Sequence, residues 1–274
     1  MDHEADGRNS SLLPDEFPEP GPIEPSADVR QELQGYLAAD PSQVGDAYRL
    51  MEGLASDAIG ERLEGSAAGA WYPRRMVRAI LEGNLPGAPT VALAAARRYR
   101  TILKTPTLSA AARSYLQTNL NELERRANDP ARLDEEAQWA SEQTQQAEAR
   151  NETGVYVYAL PHYIRHPFHP ASGRTLLKVG RSDSDVITRF RNQTRTTALP
   201  EEPILLRIYR TNGTSAAAAE ATFHRLLDAA DHRRTVGKSA GREWFLTHTR
   251  FLDEIARTLG LHIDLVNEGE FDDT

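Results

Sequence analysis

The side chains best suited to chemistry fall between Gly154 and Phe245. Glu220 and His224 stand four residues apart in an alanine-rich run that reads as helix, which puts a carboxylate and an imidazole on one face, a turn apart. Such pairs arise often by chance on exposed helices, so the pair needs company to mean anything. The company is cationic. Arg181, Arg189, Arg191 and Arg195 form an arginine-rich run, and a planar guanidinium fork suits a phosphate better than an ammonium does. Arg233, Arg234 and Lys238 lie in a second basic stretch, Asp231 to Lys238, read as a flexible loop. From Gly154 to Glu243 there are 14 Lys and Arg against 8 Asp and Glu, although the whole chain has a formal net charge of -8. The acid sits at the ends: residues 1 to 32 hold 9 acids and 2 bases, and Ile263 to Thr274 hold 5 acids and no base. A basic middle between acidic ends fits a phosphate-binding face with polar tails.

The elements that must position these residues follow from periodicity. Gly154 to Leu160 and Thr175 to Ser182 alternate apolar and polar residues, closed by Pro161 and Gly180, and read as two strands of a hairpin. Asp183, Ser184 and Asp185 are good capping residues for a helix through Arg189. Ile204 to Tyr209 reads as a third strand, leading to the helix of Glu220 and His224. Trp244 and Phe245 look like core anchors behind Glu243, and Arg250 to Leu259 like an amphipathic helix. His262 to Val266 can add an edge strand. This is an α+β unit, a small antiparallel three-stranded sheet flanked by helices, over residues 151–266.

An all-α region precedes it, residues 28–150, with about six helices joined by short connections. Ser26 or Asp28, Pro41-Ser42, Thr107 or Ser109, and Asp129-Pro130 mark helix starts, and the second helix carries Val44, Ala47, Tyr48, Met51 and Leu54. Trp71 to Arg75 reads as a loop anchor. The last helix has few large apolar residues and reads as a spacer or a partner-binding face. Residues 1–27, rich in Pro and acid, and 267–274 read as tails.

Composition excludes several classes. With no cysteine there are no disulfides, zinc fingers or cysteine nucleophiles, which fits a cytoplasmic protein. No apolar run approaches a membrane span, and the acidic start is unlike a secretory signal, so no membrane partner is expected. Gly237-Lys238-Ser239 resembles the end of a P-loop, but His232 stands where that motif needs glycine, which excludes an NTPase. His162, His166 and His169 have spacings compatible with one helix face. Pro161, Pro167 and Pro170 argue against that helix, leaving either a loop that touches DNA or a partner or a plain loop.

Taken in order, Gly154-Val155-Tyr156, Lys178-Val179-Gly180, Arg189, Glu220 with His224, and Glu243-Trp244-Phe245 resemble the GIY-YIG nuclease superfamily, in particular its phage- and restriction-associated branch. The resemblance covers roughly the last 120 residues. Lysine at 178 replaces the tyrosine of the second signature, and the gap between the signatures is about twice the usual length. The resemblance implies a metal-dependent endonuclease cutting DNA, in restriction or defence. In that reading Tyr156 takes the proton from water, and Lys178 lowers its pKa or shares the role. Arg189 contacts the phosphate, and Glu220 holds one Mg²⁺ or Mn²⁺. His224 positions the metal's water or touches the leaving strand. Arg181, Arg191, Arg195, Arg233, Arg234 and Lys238 contact nucleic acid. The competing reading is a catalytically silent nucleic-acid-binding module on the same fold. The helical region is open to target selection, inhibition or homo-oligomer formation.

Overall fold

In the computed structural model the described residues are 24–54, 71–150, 152–170, 172–182, 201–211, 213, 215–232 and 243–267. The helical region contributes α1 (Ala27–Ala39), α2 (Gln43–Met51), α3 (Trp71–Glu82), α4 (Pro89–Leu103), α5 (Ala110–Ala127) and α6 (Pro130–Ala149). Three starts are capped as the sequence suggests: Ser26 Oγ accepts from Val29 N at 3.4 Å, Ser109 Oγ from Ala112 N at 3.1 Å, and Asp129 Oδ1 from Ala131 N at 3.0 Å. Pro89 and Pro130 occupy first-turn positions, where a missing N–H costs nothing. One core joins α1 to α5, with Leu33, Leu37, Met76, Ile80, Tyr99, Leu116 and Leu123 fully buried.

Two expectations need correction here. α2 stops at Met51, and Met51 and Leu54 are exposed rather than core, because the chain turns at Gly53 with a positive φ before Leu54 can reach the helix face. Trp71 to Arg75 belongs to α3 and is not a loop.

The second half is a five-stranded antiparallel sheet in the order β4-β2-β1-β3-β5. Its strands are β1 (Gly154–Ala159), β2 (Thr175–Ser182), β3 (Ile204–Arg210), β4 (Trp244–Thr247) and β5 (His262–Leu265). The three expected strands form its centre, and β4 and β5 widen it at either edge. Between β1 and β2 lies α7 (Pro161–Arg165); α8 (Ala216–Ala229) follows β3, and α9 (Thr249–Thr258) follows β4. No helix among the described residues is long and apolar enough to cross a membrane.

The pleat of β1 sends alternate residues to two cores. Val155, Val157 and Ala159 pack with Leu177, Val179, Phe223 of α8 and Leu252 of α9. Tyr156 and Tyr158 face the other way, with Leu205, Ile208 and Ala147 of α6. The helix expected to be a spacer or a partner-binding face therefore roofs the sheet's second face. Its small residues are what permit close approach. Thr144 Oγ1 accepts from Leu205 N at 3.0 Å, and Asn267 Nδ2 donates to Thr144 Oγ1 at 2.9 Å and to Leu205 O at 2.8 Å. Tyr158 donates to Glu148 Oε1 at 3.1 Å.

On the α8–α9 side the core holds a buried ion pair. Arg207 Nε is 3.2 Å from Asp253 Oδ1, with both side chains almost fully buried, and Tyr209 donates to the same oxygen at 2.8 Å. Removing one partner strands the other charge in a low-dielectric interior. Asp253→Ala is therefore expected to cost about 3–5 kcal/mol of unfolding free energy, read from urea denaturation, with Asp253→Asn costing less because it keeps an acceptor for Tyr209.

Candidate active site

β4 pairs only with Thr175–Lys178 of β2. Past it, Val179 N donates to Glu243 O at 2.8 Å, and Gly180 to Ser182 have β1 on one side and no described strand on the other. Two polar groups of residues meet beside this length of β2. Lys178 lies on the tyrosine face, directly across from Tyr158. Its Nζ is 3.3 Å from Glu243 Oε2. The same oxygen stands 3.7 Å from the point a Cβ on Gly180 would occupy, so the Glu243 carboxylate hangs over Gly180, the cross-strand partner of Tyr156.

The other group comes from α8. This helix packs its Ala219, Phe223 and Leu227 stripe on β1 and β2, which turns Glu220 and His224 toward the edge of β2. Arg181 Nη1 is 3.8 Å from Glu220 Oε2. The His224 ring is fixed from two sides, by a 2.9 Å hydrogen bond from Nε2 to the Val179 carbonyl and by the Phe245 ring at 4.9 Å. Lys178 senses both groups. Burial pushes its ammonium below the ordinary lysine value, and the carboxylates of Glu243 and then Glu220 pull it back up.

The structure thus brings Lys178, Arg181, Glu220 and His224 to one strand edge and adds Glu243. Tyr156 is placed differently. It is 2% exposed, its ring stacks beside Tyr158 at 6.4 Å under α6, and its hydroxyl donates to the Glu152 carbonyl. Arg189, Arg191 and Arg195, and likewise Arg233, Arg234 and Lys238, lie outside the described residues. Glu243 was hard to weigh from sequence because only its place before an apolar strand marks it; no spacing ties it to Lys178.

Among the described residues no group of three His, Asp or Glu side chains is placed to hold a metal ion. An all-protein cage of the zinc or calcium kind is therefore not formed by them. A hard cation that keeps most of its water needs only one or two carboxylates, and Glu220 is the one the sequence resemblance assigns to that role.

A second polar cluster at the end of α8 was not anticipated. His232, 3% exposed, receives a hydrogen bond at Nε2 from Arg174 Nη2 (2.8 Å), and its Nδ1 donates to Thr247 Oγ1 (2.7 Å). It pins the chain at the start of the basic stretch to the far end of β4. Protonating it would place a new N–H against the guanidinium. Burial, then Arg174 and His248, accordingly push its pKa down to about 4. A histidine with a folded pKa below its unfolded value of about 6.5 contributes stability that is complete above 6.5 and lost as pH falls toward 4. Folding stability should therefore drop by up to about 3 kcal/mol between pH 7 and pH 4 from this group, and His232→Gln should flatten that part of the curve in urea titrations across pH.

Residues 154–260, which span all of these positions, match the family model of the T5orf172 domain, a family related to GIY-YIG-like and HNH nucleases of phage origin. No curated protein and no solved structure matches the chain.

Proposed function

We propose that the chain is a metal-dependent endonuclease of GIY-YIG type that hydrolyses phosphodiester bonds in DNA, acting in the cytoplasm in restriction or defence against foreign DNA. The observation that supports this most is the gathering of Lys178, Arg181, Glu220, His224 and Glu243 along β2, inside the T5orf172 match. Phosphodiester hydrolysis needs a proton acceptor for the attacking water, positive charge on the phosphate oxygens, and help for the leaving oxygen.

In this reading Arg181 gives up its long contact with Glu220 and offers its fork to the scissile phosphate, joined by Arg189. Glu220 holds the divalent ion, Mg²⁺ or Mn²⁺. When bound, the ion lowers the pKa of a water and neutralises charge on a phosphate oxygen. Lys178 is the favoured proton acceptor. Its amine lies 3.3 Å from Glu243 Oε2, and burial lowers its pKa, which raises the neutral fraction available to accept a proton. Glu243 orients that amine. His224, clamped between Val179 O and Phe245, is set to hold a water or the leaving strand. Tyr156, with its hydroxyl committed to a backbone carbonyl, is assigned to packing and to stiffening β1.

The test is incubation of the purified protein with supercoiled plasmid in Mg²⁺, Mn²⁺ or EDTA. Wild type is expected to nick or linearise it in either metal and not in EDTA. Glu220→Ala and Lys178→Met should each lose at least about 100-fold in rate, and Tyr156→Phe should stay within a few-fold. Loss in Tyr156→Phe with activity retained in Lys178→Met would return the base to the tyrosine. No cleavage in any metal, with a gel shift that weakens as salt rises, would replace the nuclease with a silent binding module.

A further inference from the structure

The fold itself decides which nitrogen of His224 carries the proton. Nε2 lies 2.9 Å from the Val179 carbonyl oxygen, and the Phe245 ring packs on the imidazole at 4.9 Å with a 52° tilt. A carbonyl oxygen can only accept, so Nε2 is the N–H. In the neutral ring Nδ1 is then a bare lone pair. Among the described residues no hydrogen bond reaches it. Helical side chains lean toward the start of their helix, so His224 reaches back toward the turn that carries Glu220.

The locked tautomer narrows what this ring can do. A nitrogen without a proton cannot donate to a phosphate oxygen, which is itself an acceptor, so the leaving strand is a poor partner. A metal ion or a water proton is a good one. Histidines that ligate metals give their other ring N–H to a carboxylate or a backbone carbonyl, which fixes tautomer and orientation in advance. Val179 O is such a carbonyl, and Phe245 removes much of the ring's remaining freedom. Glu220 adds a carboxylate one turn away, its side chain 17% exposed.

We propose that His224 Nδ1 and the Glu220 carboxylate ligate the divalent ion together, one nitrogen and one oxygen from successive turns of α8, with water completing the shell. Two cations stand near this pair. Lys178 is held by Glu243 at 3.3 Å, and Arg181, 3.8 Å from Glu220 Oε2, must release that carboxylate to the ion. The proposal rests on the nuclease reading and deepens it, since it names the second protein donor and gives the site a preference. An imidazole nitrogen raises affinity for Co²⁺ far more than for Mg²⁺, which favours oxygen.

The experiment measures metal binding by the full-length chain without nucleic acid, by pulsed EPR of Mn²⁺ and by calorimetry with Co²⁺ and Mg²⁺. Mn²⁺ on the wild type is expected to show the nitrogen hyperfine coupling of a directly bonded imidazole. His224→Gln, which keeps an N–H for Val179 O but lacks the Nδ1 lone pair, should abolish that coupling. Glu220→Ala should abolish it too, which separates this site from the other histidines of the chain. In His224→Gln the Co²⁺ affinity should fall at least about 10-fold and the Mg²⁺ affinity less than about threefold. Near-UV circular dichroism checks that both variants keep the fold. Nitrogen coupling that persists in His224→Gln, or wild-type chain that binds Mn²⁺ without it, would overturn the proposal. So would failure of the wild type to bind any of the three ions at millimolar concentration. Coupling lost in both folded variants of a chain that cuts no plasmid would leave the metal site standing and the nuclease reading fallen. Metal-dependent cleavage by a chain that shows no nitrogen coupling would do the reverse.

Discussion

Everything in the second half depends on β1 being buried along its whole length between β2 and β3. A strand with neighbours on both edges and cores on both faces has no freedom to slip, since a shift of one residue would exchange every side chain between the faces. Gly154 secures one end. A Cβ there would stand 2.3 Å from the Tyr209 carbonyl oxygen, so only glycine lets β3 come close enough to pair. The glycine of the first signature is thus a packing requirement. The register it locks sets Lys178 opposite Tyr158 and Gly180 opposite Tyr156, which decides what lies along β2.

Burial of both faces has a second consequence. Helices α8 and α9 cover one face from within the same half, but the other is roofed by α6, which precedes the sheet in the chain. The contact is made by hydrogen bonds as much as by apolar area. Thr144 and Asn267 satisfy the backbone of Leu205 where a bulge in the β1–β3 ladder leaves Leu206 out of register, and Glu148 takes the hydroxyl of Tyr158. An amphipathic helix with Ala and Thr on its inner side reads as weakly apolar in sequence, yet it packs closely because those residues are small. The helical half is therefore part of what holds the tyrosine face of the sheet in place.

That explains which features were legible in the sequence. The three central strands, the α8 pair of Glu220 and His224, the final edge strand and most helix caps follow from periodicity and from capping chemistry, both local in the chain. The missed features are non-local. Nothing near Gln138 to Gln146 announces a sheet as its partner, and nothing near Glu243 announces Lys178, 65 positions earlier. The His232–Arg174–Thr247 cluster likewise joins three elements that no spacing rule connects. Pro161 misled for a different reason: proline excludes a helix interior but favours a helix start, and the sequence alone did not show which position it held.

The lysine of the second signature and the hidden hydroxyl of Tyr156 belong to one argument. A phenol exposed at the edge would need a nearby cation to act as a base near neutral pH. Here the phenol is turned into the core, and the strand edge carries an amine with a carboxylate 3.3 Å away. The other contact, Arg181 with Glu220, is long at 3.8 Å, and its arginine is 40% exposed. Contacts of this kind contribute little to stability, about 0–1 kcal/mol, so breaking them for a phosphate or a hydrated cation costs little. The buried Arg207–Asp253 pair, a strand away in the core, is the opposite case: too costly to break, and so a fixture of the fold. A long, partly exposed ion pair beside β2, over a core whose own charges are locked, can exchange its partners without disturbing the sheet that positions it.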